Sequence, residues 1–226
     1  SLNEEEFSQM KIHLIDGTYE LFRAHFGAPP KKSASGLEVG ATLGLMRSLL
    51  MLLQSPDVTH VAVAFDHVIE SFRNKLYTGY KSSEGVDPII LNQFELAEKA
   101  VSALGVMVWP MVKFEADDAI ATATARFKKE KSVEQIIICS VDKDLTQMVD
   151  GKKVICWDRR REIFLDEKGV VAKFGVKPES IPDYLALVGD SADGYPGIQG
   201  WGAKSTASVL AKFKHIESIP KDPKKL

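Results

Sequence analysis

Three short apolar runs constrain this chain more than any other feature. Lys11-Ile-His-Leu-Ile-Asp16, His60-Val-Ala-Val-Ala-Phe-Asp66 and Gln135-Ile-Ile-Ile-Cys-Ser-Val-Asp142 each suit one buried strand, and each closes on an aspartate. Between the first two lies a segment, residues 37–53, whose apolar side chains at Leu43, Leu45, Met46, Leu49, Leu50 and Leu53 share a helical face. Strand, helix, strand without a tight turn implies parallel pairing, because parallel neighbours need a crossover. Residues 18–26, 89–104 and 119–127 read as further helices, and residues 105–110 as a short edge strand closed by Pro110. Residues 153–158 and 162–166 flank Arg159-Arg-Arg161 as a β-hairpin with a basic tip. Residues 170–174, 178–188 and 203–213 read as helices, and Ile198-Gln-Gly-Trp-Gly202 as a tight hairpin between the last two. The expected class is α/β, with a mostly parallel sheet flanked by helices.

Ligands of such sheets bind beyond the carboxyl ends of the strands, where Asp16, Asp66 and Asp142 fall. One aspartate there usually caps the next helix. Here Glu115-Ala-Asp-Asp118 adds three acids at a helix entry, Asp144 follows Asp142, and a turn-rich loop supplies Asp190 and Asp193. Helix-dipole complementation accounts for one or two of these acids. The rest would repel one another unless neutralised, and hard divalent cations are the natural remedy. Mg²⁺ or Mn²⁺ suits carboxylate oxygens, and two ions about 3.5–4 Å apart could clamp a phosphodiester. The scattered histidines give no zinc spacing.

The net charge of −2, from 31 acids and 29 bases, argues at face value against a nucleic-acid partner. Setting aside the nine acids named above leaves 22 against 29, a basic remainder that suits phosphate backbones. Phe72, Arg73, Lys75, Tyr77, Tyr80 and Lys81 form an aromatic and basic run, whose aromatics could equally pack in the core. Gly197, Gly200 and Gly202 would let backbone N–H groups approach a phosphate at the positive end of the following helix, which carries Lys204. A plain αα-hairpin with glycine turns is the other reading of that stretch. Cys139 and Cys156 read as buried thiols of a reducing, cytoplasmic setting, and no apolar run reaches membrane-spanning length. At 226 residues the chain can bury a core as one domain plus an appendage. Residues 1–10 read as a leader, with Met10 as a possible start, and residues 221–226 as a tail.

Taken in order, Leu14-Ile-Asp16-Gly, Ala64-Phe-Asp66, Phe72-Arg73, Tyr80-Lys81, Glu115-Ala-Asp-Asp118, Asp142-Lys-Asp144 and Gly189-Asp-Ser-Ala-Asp193 through Lys204 resemble the 5′→3′ exonuclease/flap endonuclease family. That family includes the 5′-nuclease domain of bacterial DNA polymerase I. The likeness covers about residues 11–215 and lies in the ordered set, since each motif alone is weak. It implies a PIN-like, resolvase-like domain over residues 11–175 and a helix–hairpin–helix subdomain over residues 176–220. It implies a helical gateway over about residues 72–104.

It further implies a catalytic metal held by Asp16, Asp66, Glu115 and Asp117. A second metal would be served by Asp118, Asp142, Asp144, Asp190 and Asp193, directly or through water. Arg73 and Lys81 would act on the scissile phosphate. Arg23, Tyr80, Gly197, Gly200, Gly202 and Lys204 would bind DNA, with K⁺ at the hairpin. The implied partners are DNA with a 5′ end or flap and a DNA polymerase, in replication and repair. With no polymerase domain in the sequence, the chain would act freestanding or as a fragment.

Two departures stand out. The family has Asp-Asn where this chain has Asp193-Gly194, a change expected to matter little because glycine tolerates the turn. Ser82-Ser-Glu84 stands where similar sequences place another basic residue. Three rival readings differ in chemistry. A PIN-type ribonuclease would not need the long glycine-rich hairpin. A non-catalytic nucleic-acid-binding module would gain nothing from unmetallated acids. A HAD-like phosphatase would need a second aspartate two residues after Asp16, where Thr18 stands.

Overall fold

The structure is a computed structural model that describes residues 10–222, so residues 1–9 of the expected leader and 223–226 of the tail lie outside the described residues, while Met10, read as the end of the leader, opens the first strand. Its centre is a sheet in the order β3-β2-β1-β4-β5-β6. The strands are β1 (Met10–Asp16), β2 (His60–Asp66), β3 (Met107–Met111), β4 (Val133–Cys139), β5 (Val154–Asp158) and β6 (Ile163–Leu165). All pairs are parallel except β5 with β6, which form the expected hairpin. The inner strands are covered on both faces, which is why they read as continuous apolar runs. Ile15, Val63, Phe65 and Ile137 face α1 (Gly17–Gly27), α2 (Gly40–Leu53) and α5 (Phe94–Ala103). Leu14, Ala64, Ile136 and Ile138 face α6 (Ala116–Phe127) and the C-terminal helices.

The chain crosses from one side of the sheet to the other between β3 and β4, through α6. β1 therefore has β2 on one side and β4 on the other, and its carboxyl end is the topological switch point where such sheets bind ligands. Gly17 opens α1 there. A Cβ at this position would lie 2.6 Å from Val63 Cγ1, so only glycine lets the helix leave so close to β2.

The rest comprises α3 (Arg73–Leu76), α4 (Pro88–Leu91), α7 (Glu167–Phe174), α8 (Ile181–Val188) and α9 (Ala203–Phe213), with 3₁₀ turns at Asp144–Met148, Pro178–Ser180 and Ile216–Ser218. α8 and α9 pack together across the glycine-rich turn, where Trp201 N–H donates to Ile198 O at 3.1 Å. Cys139 and Cys156 are buried free thiols. Among the described residues no helix is long and apolar enough to cross a membrane.

The helix predicted over residues 89–104 is where the structure departs most from expectation. Residues 72–104 carry three helices, α3, α4 and α5, with an irregular stretch between the first two. Helix α3 is one turn long, residues 77–87 are irregular, and the predicted helix over 89–104 is broken into α4 and α5 at Asn92-Gln93. The break has a tertiary cause. Gln93 is buried, and its Oε1 accepts hydrogen bonds from Thr42 N–H (3.0 Å) and Thr42 Oγ1 (3.1 Å). α5 is a core helix through Phe94, Ala97 and Val101. Gly79, Gly85 and the serines between them supply no helical run for residues 77–87.

Candidate active site

Each acid at the strand ends is fixed by a local bond. Asp16 caps α1, its Oδ1 accepting Tyr19 N–H at 2.9 Å, while its Oδ2 accepts Ser140 Oγ–H at 2.9 Å. Asp66 accepts Ala116 N–H at 2.7 Å, which pins the start of α6 to β2. Asp142 accepts Asp144 N–H at 2.9 Å, and Asp142 N–H donates to Ser140 at 3.1 Å. Ser140 thus stands between the two strand ends.

The acids at the entry of α6 have three different tasks. Asp118 completes a capping box by accepting Glu115 N–H at 2.8 Å, and Arg73 grips both its oxygens at 2.8 Å. Burial pushes the Asp118 carboxyl up, but the Arg73 hydrogen bonds and the Glu115 N–H outweigh it and hold the group below its usual range. Its oxygens are committed to the chain, and it joins neither carboxylate cluster below. Glu115, 2% exposed, meets Arg73, the Tyr80 hydroxyl (3.0 Å) and Lys81 Nζ (3.0 Å). Asp117 turns the other way, toward the strand ends.

Two clusters result. Oxygens of Asp117, Asp142 and Asp144 lie within 4.8 Å of one another, as do oxygens of Asp144, Asp190 and Asp193, and Asp144 belongs to both. Crowding shows in their acidities. Burial, then the charges of Asp66 and Asp142, raises Asp16 to about 7 after the opposing Tyr19 bond is allowed for. Burial, then Asp142, Asp193 and Asp190, raises Asp144 to about 7. Asp117 is pushed well above the usual range by burial and by Asp142 and Asp16. Burial also raises Asp66 and Asp142.

Lysines answer part of this charge. Lys81 Nζ lies 3.0 Å from Glu115 and 3.2 Å from Asp193, and Lys143 Nζ lies 2.8 Å from Asp190. Burial pulls the Lys81 ammonium down, but Glu115 and Asp193 outweigh it and keep the group charged. Every ligand atom offered by the two clusters is a carboxylate oxygen, a donor set that fits divalent cations.

Sequence reasoning missed Ser140, Thr18, which accepts Asp66 N–H at 2.7 Å, and Lys143. Only Lys143 carried a signal, a base set between two candidate ligands.

The remaining candidates lie apart from the clusters. Arg23 pairs with Glu20 and with Ser48 Oγ (3.1 Å), and lines a groove of about 820 Å³ with Arg47, Arg159 and Arg160. The three hairpin glycines divide. A Cβ on Gly197 would lie 2.5 Å from Gly189 N, so that glycine packs the turn against α8. Gly200 and Gly202 face open space, and Gly202 is the N-cap of α9, beside exposed Lys204. Ser83, in the stretch that departs from the family, donates through its N–H to Glu70 Oε1 at 2.7 Å and ties that stretch down.

Gly194 does more than tolerate the turn. Its φ is +87°, and a Cβ there would lie 2.2 Å from Gly79 O. The turn carrying Lys81 is docked on this loop, with Lys81 N–H donating to Asp193 O at 2.9 Å. Gly194→Ala should push Lys81 off its carboxylates. Turnover should fall about 10–100-fold for a displacement near 1 Å, with the melting temperature within a few degrees of the parent. Unchanged turnover would mean that the docking is irrelevant to chemistry.

Comparison with known proteins accords with this geometry. Residues 11–175 match the family model "5′-3′ exonuclease, N-terminal resolvase-like domain", and residues 176–226 match "5′-3′ exonuclease, C-terminal SAM fold". A 5′-3′ exonuclease of Aquifex aeolicus is 33% identical over 93% of this chain and 72% of its own length. DNA polymerase I of Rhizobium leguminosarum is 35% identical over 92% of this chain, which spans only 21% of that protein. A bacteriophage T5 flap endonuclease, solved with DNA and metal ions, shares the fold over 95% of this chain and 81% of its own, with TM-score 0.66 and 18% identity. The chain is an enzyme of the 5′-3′ exonuclease family.

Proposed function

We propose that this chain hydrolyses DNA phosphodiester bonds at 5′ ends or flaps, with two divalent ions at its paired carboxylate clusters, in replication and repair. The observation that carries the reading is the pair of oxygen-only clusters sharing Asp144, with Lys81 at their edge. Mg²⁺ or Mn²⁺, held by Asp117, Asp142 and Asp144 and by Asp144, Asp190 and Asp193, would supply positive charge and a polarised water. Asp16 and Asp66 border the same nest. The chain's own groups do the rest. Lys81 presents an ammonium where phosphoryl oxygens gain charge, and Glu115 and Asp193 aim it. Arg73 holds Glu115 directly and grips Asp118, which caps the Glu115 N–H, and Ser140 orients Asp16.

Gly200, Gly202 and the start of α9 offer N–H groups to a backbone phosphate, with Lys204 adding charge and K⁺ as an accessory ion. Relatives named DNA polymerase I carry the matching segment, which supports a DNA polymerase as the functional partner.

The test incubates the protein with 5′-labelled flap, nicked duplex, single-stranded DNA and RNA, in Mg²⁺ or in EDTA. Flap and nicked duplex should be cut in Mg²⁺ alone. Cutting in excess EDTA would sink the metal reading, and preference for RNA would make the chain a ribonuclease.

A further inference from the structure

The two carboxylate clusters differ in one respect. Among the described residues, Asp117, Asp142 and Asp144 take part in no ion pair, whereas Asp190 and Asp193 are each met by a lysine. The two lysines are not equivalent. Lys81 bridges two carboxylates and its side chain is 27% exposed. Lys143 has one carboxylate, Asp190, and its side chain is 39% exposed. Asp190 itself is 2% exposed. Its Oδ1 accepts Ala192 N–H at 2.9 Å, and its Oδ2 meets Lys143 Nζ at 2.8 Å. Both oxygens are therefore satisfied by the chain.

A buried carboxylate stripped of its counter-charge is destabilising, so a cation facing Asp190 stabilises the ion-free site. An ammonium on a flexible stem can do this and can also withdraw to solvent. A divalent ion among Asp144, Asp190 and Asp193 meets the same need with twice the charge, and repels the ammonium at that distance.

We propose that Lys143 is a built-in counter-ion of the second metal site, holding Asp190 while that site lacks a divalent ion and yielding to the ion when it binds. This rests on the two-metal reading above. The sites then fill unequally. Asp117, Asp142 and Asp144 take an ion with no cation to displace. The cluster with Asp190 and Asp193 takes one more weakly, because Lys143 must leave. Lys81 stays, since it keeps Glu115 whether or not Asp193 turns to a metal.

Isothermal titration of the DNA-free protein with Mn²⁺ tests this without any cleavage readout. The parent should show a stronger and a weaker event. In Lys143→Met the weaker event should tighten about two- to fivefold, the range expected for removing one half-exposed competing ion pair. The stronger event should stay put. Lys143→Gln, which keeps a polar head without the charge, should do the same, and Lys143→Arg should stay near the parent. Raising salt should shrink the gap. A gain of affinity separates competition from a structural role, because a damaged site binds more loosely. Parent-like or weaker binding in both neutral variants overturns the proposal. A parent that binds one ion or none overturns the two-metal reading itself, and the proposal with it.

Discussion

Asp144→Asn should abolish cleavage and raise the thermal stability of the metal-free protein at neutral pH. Both effects come from one position. Asp144 is the residue shared by the two clusters, so its loss removes a ligand from each. Its carboxyl is raised to about 7, first by burial and then by Asp142, Asp193 and Asp190. An aspartate in an unfolded chain titrates near 3.9. Between those values the folded state holds a proton that the unfolded state has released. Stability therefore falls as pH rises through the window from about 4 to about 7, and the loss is complete above it.

One pKa unit corresponds to about 1.4 kcal/mol. Screening of a half-buried group leaves about 1–2 kcal/mol of the shift as a realisable change. For a chain of this size that is about 2–8 °C in melting temperature. Calorimetry in EDTA from pH 5 to pH 8 should show the parent losing stability with rising pH and the variant losing less. Mg²⁺ should restore the parent at pH 8, because it neutralises the same charges. A variant that melts several degrees below the parent at pH 8 would instead make Asp144 a structural residue.

Those strand-end acids were legible in the sequence for a physical reason. Parallel strands buried on both faces leave continuous apolar runs, and the polar residue that ends each run marks the carboxyl edge of the sheet. Asp16, Asp66 and Asp142 could be found that way. Their neighbours could not be sorted so easily. Glu115, Asp117 and Asp118 look alike in sequence, yet helix geometry turns Asp118 back to its own N-cap while Asp117 faces the nest.

What stayed hidden depends on contacts between distant segments. The break at Gln93 is made by Thr42, and the need for glycine at 194 is made by the carbonyl of Gly79. The packing of residues 94–103 was hidden for a related reason. Apolar residues from 94 to 103 fit a helix wherever it packs, and only the fold shows that this one fills the core beside α2.

Replacing Lys81 by alanine should reduce turnover far more than it reduces DNA affinity. The ammonium lies between Glu115 and Asp193, at the rim of the second cluster and not on the glycine-rich turn proposed to grip duplex. A cation in that place does little for a resting phosphodiester, which other contacts hold. It acts when negative charge builds on the phosphoryl oxygens, in a site that excludes much of the water that would screen it. Loss of one such donor costs on the order of 10²–10³ in turnover. KM should stay within a few-fold of the parent.

The same variant should bind the weaker Mn²⁺ ion more tightly, since Asp193 loses a competing cation. It should also melt lower, because Glu115 keeps only Arg73 and Tyr80. Together these outcomes separate lost catalysis from a lost metal site, in which affinity for Mn²⁺ would fall with turnover. Single-turnover cleavage of a labelled flap at saturating enzyme, beside Mn²⁺ titration, measures both. If Lys81→Ala cuts as fast as the parent under those conditions, the lysine is packing, and catalysis rests on the carboxylates alone.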